Sequence, residues 1–259
     1  MFKIGGYRQS SGNIGVESFN NKIAQFAKLA SAQLDIHILP EFTPLSNQGM
    51  LNSCVANATA DALELLKGLE DSSKVQQVSR LFIYYSARLF SNEINKDEGC
   101  YIHNALKSLT TLGTCRESTW DYDIFKVFTR PTLEAYREAN DNTITDFYQI
   151  TADGAERINQ IELAVRANHP VIFGTRVGSE FRQYQGDNRI IGIPSDDIGG
   201  HAMIIVGIRT NDSGQKEFYI RNSWGQWGQQ GHCWMSADYI TWSKTKDIFV
   251  PTRMIDFLL

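Results

Sequence analysis

The sequence contains no segment typical of a membrane protein. No apolar run approaches the ~20 residues that a membrane-spanning helix needs. Residues 1–8 also lack the apolar segment of a secretory signal. We therefore expect no membrane partner, and either a cytoplasmic location or export by a route that uses no secretory signal peptide.

A strong charge excess and the cysteine spacing of a metal site are also missing. The net charge of −4 and the isoelectric point near 5.8 give no electrostatic reason to expect a nucleic acid as partner. No CxxC pair is present, which argues against a zinc site or a thioredoxin-like redox pair, and we expect no metal and no cofactor. The four cysteines are Cys54, Cys100, Cys115 and Cys233. Cys100 with Cys115 is the only pair suspected of forming a disulfide, and reduced thiols are the simpler expectation.

Helical patterns come early in the chain and strand patterns come late. The hydrophobic content of 42% over 259 residues is enough for a substantial core. Apolar periodicity predicts helices at 53–68, about 79–93, about 101–112 and about 132–140. It then predicts strands at 144–150, 170–177, 202–209, 217–221 and 231–235, with one helix at about 154–168. This order predicts an α+β chain in two lobes with a cleft between them.

Cys54 lies where one of these helices is predicted to begin. Asn52 and Ser53 are N-cap residue types. The positions that follow have the spacing of one buried helix face, namely Val55, Ala58, Thr59, Ala62, Leu63 and Leu66. A helix N-terminus favours an anion, and the thiolate is the attacking form of cysteine. Taken alone, however, a cysteine in this position is more often a small core residue.

Two later segments supply a base and an amide that can orient it. His201 follows two glycines and begins an apolar run, so we expect it at the mouth of a buried strand. Asn222 ends another predicted strand, and its carbonyl can fix an imidazole without adding a negative charge. Trp224 can cover that hydrogen bond and exclude water. Each residue alone also has an ordinary structural explanation, as a strand-end histidine or part of a turn.

Taken together and in order, these segments resemble the signature blocks of papain-like cysteine peptidases. The blocks are Gln48 to Cys54, Gly200-His201-Ala202, and Arg221-Asn222-Ser223-Trp224-Gly225. Residues 79–85, 98–102 and 113–122 look like the bacterial and viral branch of that family. The resemblance implies that Cys54 is the nucleophile and that His201 is the base and acid. It also implies that Asn222 orients the imidazole and that Gln48 donates to the oxyanion.

The same resemblance implies a fold and a substrate-binding set. The fold is papain-like and two-lobed over residues 38–259, with a helical lobe at about 45–143 and an antiparallel sheet or barrel lobe at about 144–259. The implied substrate-binding residues are Gly99, Cys100, Tyr101, Gly200 and Trp224. Papain itself has a glycine at the position of Cys100, a tryptophan at that of Val55 and a half-cystine at that of Leu51. None of these departures removes a catalytic group, but Cys100 places a side chain where substrate should pass.

The predicted function is peptide-bond hydrolysis by a monomeric cysteine endopeptidase, through a thiolate–imidazolium pair and an acyl-enzyme. The predicted partner is a peptide or protein substrate. Two alternatives stay open: an acyltransferase or transamidase on the same scaffold, and an inactive peptidase-like binding protein. All of this requires Cys54 and His201, remote in the chain, to be neighbours across the cleft.

Residues 1–37 differ in composition from the rest of the chain. Residues 1–20 are rich in Gly, Ser and Asn, and residues 21–34 have the pattern of one short amphipathic helix. Papain-like enzymes are commonly made with a longer helical prosegment that blocks the cleft. We expect residues 1–37 either to pack along or into the cleft and restrain activity, as in a zymogen, or to cover the sheet lobe as a surface arm.

Overall fold

The computed structural model describes residues 2–32 and 35–252, and residues 254–256 by their backbone. The α-helices are α1 (Ile23–Leu29), α2 (Cys54–Glu70), α3 (Arg80–Leu89), α4 (Ile102–Thr111), α5 (Leu133–Asn140), α6 (Gly154–Arg166), α7 (Ser179–Arg182), α8 (Trp227–Gln230) and α9 (Ala237–Thr241). Short 3₁₀ helices lie at Phe19–Lys22, Ser72–Lys74 and Ile124–Lys126. The strands are β1 (Ile36–Ile38), β2 (Asn142–Ile144), β3 (Phe147–Ile150), β4 (Val171–Val177), β5 (Gly199–Thr210), β6 (Lys216–Arg221), β7 (His232–Ser236), β8 (Lys246–Pro251) and β9 (Met254–Asp256).

Helix α2 is the central element of the helical part. Every residue from Cys54 to Leu66 is buried, which includes the six positions of the predicted apolar face. The remaining positions are buried as well, because α2 packs against α3 and α4 as well as strand β5. Small alanines on α2 let these neighbours approach, and the buried Asp61 is paired with Arg221 at 3.2 Å.

The later part of the chain forms an antiparallel sheet in the order β3-β8-β4-β5-β6-β7, with β1 also paired to β5. Strand β5 is long enough to pair with β4 through residues 199–205 and with β1 through residues 207–209. Strands β2 and β9 form a separate two-stranded antiparallel sheet. Because β5 and β6 are neighbours, the start of β5 and the end of β6 lie close to each other.

The first part of the chain divides between two places. Residues 18–32 and 35–38 cover the sheet. Phe19 and Phe26 are buried, and Phe26 packs on Tyr148 and His169 with ring centroids 6.3 and 4.7 Å away. Residues 2–8 run elsewhere, across the N-terminus of α2. The helix predicted at 21–34 is seen at Ile23–Leu29, and residues 33–34 lie outside the described part of the chain.

The predicted α+β fold class is confirmed, with helices α2–α5 preceding a sheet that runs to residue 251. All four cysteines are buried and free, so the suspected Cys100–Cys115 disulfide is wrong and the expectation of reduced thiols agrees with the structure. Among the described residues, every helix is too short or too polar to cross a bilayer.

Candidate active site

Cys54 is the first residue of α2, as predicted, but the helix cap differs from the prediction. The Ser53 hydroxyl contacts the hydroxyl of Tyr122 and makes no capping bond to the helix. The Cys54 side chain is fully buried, and this burial raises the pKa of its thiol to about 12, although backbone groups of Ala202 and Val55 act in the opposite direction. The thiol is therefore neutral here, whereas the helix N-terminus alone predicts a lowered pKa.

His201 and Asn222 come from adjacent strands and meet through their side chains. The Nε2 atom of His201 lies 2.7 Å from Oδ1 of Asn222, which fixes the ring with Nε2 as the donor. The Trp224 ring lies over this pair, with its centroid 4.7 Å from that of His201. All three side chains are fully buried, and burial lowers the pKa of His201 to about 4, although the Asn222 hydrogen bond raises it.

The structure also brings Cys54 to the start of β5. The backbone of Ala202, which follows His201, lies close enough to the Cys54 thiol to influence its pKa. The Nδ1 atom of His201 is buried and has no hydrogen-bond partner among the described residues, so it makes no bond to the thiol in this state. A neutral Nδ1 with Nε2 protonated is the tautomer that can accept a proton from a thiol.

The Gln48 side chain is held rigidly between the two parts of the molecule. Its Oε1 accepts from the Ser223 hydroxyl at 2.9 Å and from the Trp224 indole at 3.2 Å. These two bonds orient the amide, so that Nε2 donates to the Leu51 carbonyl at 3.0 Å and to the Lys3 carbonyl at 3.2 Å. An amide fixed in this way is a preorganised donor for a carbonyl oxygen in the cleft.

Residues 2–8, which we call the cleft strap, lie over Cys54. The Lys3 N–H donates to the Gly49 carbonyl at 3.2 Å, and the Gly5 N–H donates to the Gly200 carbonyl at 2.9 Å. The Gly6 carbonyl then accepts from the Cys100 N–H at 3.0 Å. Gly6 packs so closely that a Cβ there would lie 2.9 Å from Sγ of Cys54. The strap is therefore the reason why the thiol is buried.

Each residue predicted to bind substrate contacts the cleft strap. Cys100 pairs with Tyr7 in a parallel bridge, its own side chain is buried, and burial raises the pKa of its thiol. Gly99 packs against Gly6, and Gly200 packs against Tyr7. The Arg8 guanidinium lies 4.8 Å from the centre of the Tyr101 ring. The Trp224 ring stacks on Phe2, with ring centroids 5.4 Å apart. The chain thus binds its own segment where the sequence predicts substrate.

Several residues of this site escaped the sequence analysis. Tyr7 is buried in the cleft, and its hydroxyl donates to Asp247 at 2.8 Å. Asp97 accepts from the Asn52 N–H at 2.9 Å and from Tyr84 at 2.7 Å, and it also pairs with Lys3. The sequence signal for Tyr7 was the presence of an aromatic residue in a segment that is otherwise rich in Gly, Ser and Asn.

No group of three or more His, Cys, Asp and Glu side chains that could hold a metal ion occurs within the described ranges. The chemistry that the arrangement can perform is nucleophilic: a thiol at a helix N-terminus, an oriented imidazole and a fixed amide donor lie around one cleft.

Comparisons with known proteins agree with this geometry. Residues 31–249 match the papain family of cysteine proteases. An uncharacterized peptidase C1-like protein of Acanthamoeba polyphaga mimivirus is 35% identical over 211 residues, which cover 78% of this chain and 67% of that protein. Vignain of Ricinus communis is 24% identical over 201 residues, which cover 73% of this chain but only half of the vignain chain.

Among solved structures, xylellain, a cysteine protease from Xylella fastidiosa, superposes with a TM-score of 0.79. It is 28% identical, and the superposition covers 97% of each chain. Bromelain from Ananas comosus superposes with a TM-score of 0.66 at 18% identity, over 85% of this chain and all of that chain, which shows a shared fold. The predicted papain-like fold and the predicted resemblance to bacterial and viral relatives are confirmed.

Proposed function

The chain belongs to the papain family of cysteine proteases, and we propose that it is an endopeptidase whose reaction uses Cys54, His201, Asn222 and Gln48. The observation that carries this proposal is the 2.7 Å contact between His201 and Asn222, beside a cysteine at a helix N-terminus. The family match favours peptide hydrolysis over the acyltransferase and the inactive binding protein.

In the proposed mechanism, Nδ1 of His201 removes the proton from Cys54, and the thiolate attacks the substrate carbonyl carbon. Nε2 of Gln48 and the Cys54 N–H then donate to the oxyanion, which is worth about 3–4 kcal/mol of transition-state stabilisation for such a donor. The intermediate collapses as His201 protonates the leaving amine. His201 next activates a water that hydrolyses the thioester, while Oδ1 of Asn222 holds the ring throughout.

We further propose that the cleft strap restrains this activity. The strap covers the Cys54 thiol, and the Lys3 carbonyl occupies the amide of Gln48 that the oxyanion needs. With the thiol pKa near 12 and the imidazole pKa near 4, both groups are neutral in the closed form. A substrate therefore has access to neither the nucleophile nor the oxyanion donor until the strap leaves.

The surface-arm alternative applies to a different part of the same segment. Residues 18–38 contribute Phe19 and Phe26 to the core, and β1 pairs with β5. Removal of residues 1–37 would therefore destabilise the fold as well as open the cleft, because large buried side chains would be lost. A clean test must release residues 2–8 and keep residues 18–38.

The experiment is a site-specific clip in the folded full chain. Residues 11–13 are exposed, so a recognition sequence for a protease of another catalytic class is inserted after Gly12. The matched control carries the same insertion after Gly214, in the exposed turn that follows β5. Clipping after Gly12, followed by dialysis to remove the strap, should raise peptide hydrolysis and iodoacetamide labelling of Cys54 at least tenfold, and clipping after Gly214 should change neither.

A Cys54→Ala variant separates the two proposals. The clipped Cys54→Ala protein should fold normally, bind peptides and cleave none of them. Normal hydrolysis by this variant would contradict the catalytic assignment, whereas equal activity of the clipped and intact wild-type proteins would contradict restraint by the strap alone.

The proposed partner is a peptide or protein, acted on by a monomer without a cofactor. The four free thiols support a reducing compartment as the place of action. Light scattering of the purified chain measures its molar mass and so tests whether it is a monomer. Fractionation of cells followed by thiol labelling tests whether the protein lies in a reducing compartment.

A further inference from the structure

The carboxylate of Asp97 lies between three segments that meet at the cleft. Its Oδ1 accepts from the Asn52 N–H at 2.9 Å and from the Tyr84 hydroxyl at 2.7 Å. Its Oδ2 accepts from Nζ of Lys3, in the cleft strap, at 2.7 Å. The Asp97 side chain is only 14% exposed, so these donors replace much of the water that a carboxylate would otherwise bind. The mechanism proposed above gives this carboxylate no role.

The bond to Asn52 fixes one end of a peptide group whose other end contacts Gln48. The N–H of this group belongs to Asn52, and its carbonyl belongs to Leu51, which accepts from Nε2 of Gln48 at 3.0 Å. Because a peptide group is planar, a carboxylate bound to its N–H also sets the direction of its carbonyl. The negative charge polarises the group and strengthens the bond that the carbonyl accepts. The orientation of the Gln48 amide therefore depends on Asp97 through one peptide group.

A second branch runs from Asp97 to the segment predicted to bind substrate. The Tyr84 hydroxyl donates to Asp97 and accepts from the Gly99 N–H at 3.2 Å. Burial raises the pKa of Tyr84 well above its usual range, and Cys100 and Asp97 add to this effect, so the hydroxyl keeps the proton that it donates. All four cysteines are free. Asp97 therefore joins the loop before the nucleophile to the substrate segment through hydrogen bonds and not through a disulfide.

We propose that Asp97 is a positioning residue for peptide hydrolysis, and that it holds the Leu51–Asn52 peptide group so that the Gln48 amide points at the oxyanion. Asp97 touches no reacting atom and acts through Gln48. The proposal rests on the proposed peptidase function, and it deepens that function by naming the group that orients the oxyanion donor.

Asparagine and alanine at residue 97 separate positioning from the bond to the strap. Asparagine keeps the oxygen that accepts from Asn52 and Tyr84, but its amide nitrogen cannot accept from Lys3. In the strap-free enzyme, Asp97→Ala should lower kcat about tenfold or more, because the Gln48 amide loses its fixed direction. Asp97→Asn should stay within about threefold of the wild-type kcat, since a neutral acceptor remains. Equal losses in the two variants would overturn the proposal.

A further variant covers the case in which Asp97→Ala fails to fold. Asp97→Ser keeps a small polar side chain that is too short to reach the Asn52 N–H. It should lower kcat about tenfold or more, as alanine does, and a wild-type kcat for a folded Asp97→Ser protein would contradict the proposal.

A double-variant cycle distinguishes positioning of Gln48 from general support of the fold. If Asp97 acts through Gln48, the kcat of the Asp97→Ala, Gln48→Ala double variant should equal that of Gln48→Ala alone, because no amide is left to orient. Independent effects would instead multiply, and a double variant that loses the product of the two factors would refute the assignment.

Glu93→Gln is the matched control in the same segment. Glu93 pairs with Arg8 of the strap, as Asp97 pairs with Lys3. Both Glu93→Gln and Asp97→Asn should speed iodoacetamide labelling of Cys54 in the intact chain, because each removes one ion pair from the strap. In the strap-free enzyme, Glu93→Gln should leave kcat unchanged. A fall as large as that of Asp97→Ala would show that the position of residue 97 is not special, and would overturn the proposal.

A measurement without substrate keeps this test separate from the proposed function. Solvent exchange of the Gln48 side-chain amide protons is followed by NMR in the strap-free Cys54→Ala protein. Exchange should be about tenfold faster or more when Asp97→Ala is added than when Asp97→Asn is added, since a hydrogen bond protects the amide only while its acceptor is held. If no peptide is cleaved but this difference is found, the peptidase proposal fails and the positioning role stands. Equal exchange rates overturn the positioning role whatever the activity.

Discussion

The side-chain amide of Gln48 donates a hydrogen bond to the backbone carbonyl of Lys3, at 3.2 Å. The group proposed to stabilise an oxyanion therefore already holds a carbonyl oxygen, which belongs to the chain itself. The closed cleft resembles an occupied one in this respect. This relationship links catalysis and restraint, because one side chain serves both.

Replacing Gln48 with alanine should separate these two effects. In the strap-free enzyme, we expect kcat to fall by about 10²–10³ because an oxyanion donor is lost. KM should change little if the amide acts mainly in the transition state. In the intact chain, the same change removes one strap contact and should speed labelling of Cys54. Peptide hydrolysis and iodoacetamide kinetics measure the two effects, and an unaltered kcat would refute the assigned role.

Gly6 is the position at which the strap is closest to the nucleophile. A Cβ at residue 6 would lie 2.5 Å from the Asn52 carbonyl oxygen and 2.9 Å from Sγ of Cys54. We therefore expect Gly6→Val to displace the strap and activate the full-length chain at least fivefold without any clip. Gly12→Asn is the control, because residue 12 has open space around it and asparagine tolerates its φ of 69°. Activation by both variants, or by neither, would contradict this account.

Acid should open the cleft through His201. Burial lowers the pKa of His201 from 6.5 to about 4 in the closed form, so an exposed imidazole binds a proton that the buried one does not. The contribution of His201 to closure is thus fully present above pH 6.5 and is lost as the pH falls towards 4. Hydrogen exchange of the Gly5 and Arg8 amides, corrected for intrinsic rates, measures this. The His201→Gln variant should lose much of the dependence, and equal slopes for both proteins would argue against His201 as the titrating group.

Arg221 precedes Asn222 at the end of β6, and its loss should destabilise the whole fold. It is buried and pairs with Asp61 at 3.2 Å and with Glu41 at 3.0 Å. Arg221→Ala would leave the carboxylate of Asp61 uncompensated, so we expect the free energy of unfolding to fall by about 3–5 kcal/mol. The control Arg189→Ala removes an exposed pair and should cost less than about 1 kcal/mol. Urea unfolding of both variants gives the comparison, and similar costs would contradict the argument.

Periodic apolar patterns explain why most elements were predictable from the sequence. Helix α2 was predicted at 53–68 and is found at Cys54–Glu70, and β4 was predicted at 170–177 and is found at Val171–Val177. Strand β8 was missed, although it lies between β3 and β4 in the sheet. Its sequence has only a short apolar run before Pro251, so it carries little pattern of its own and depends on its two neighbours for pairing.

The candidate site was predictable as a set of residue types in a fixed order. The sequence could not indicate the state of those groups, because a pKa depends on burial by distant segments. Cys54 has a raised pKa where the helix N-terminus alone predicts a lowered one, since residues 2–8 exclude water from the thiol. Tyr7 and Asp247 are 240 residues apart and meet only across the cleft.

The sequence by itself determined the α+β order of elements, the family, and the residues that can supply a nucleophile, a base and an amide, since these depend on local pattern and side-chain chemistry. Only the tertiary structure decided that the cleft is closed and that Tyr7 is buried in it. The physical reason is that access and charge state arise from contacts between segments remote in the chain, and such contacts leave no periodic signal within either segment.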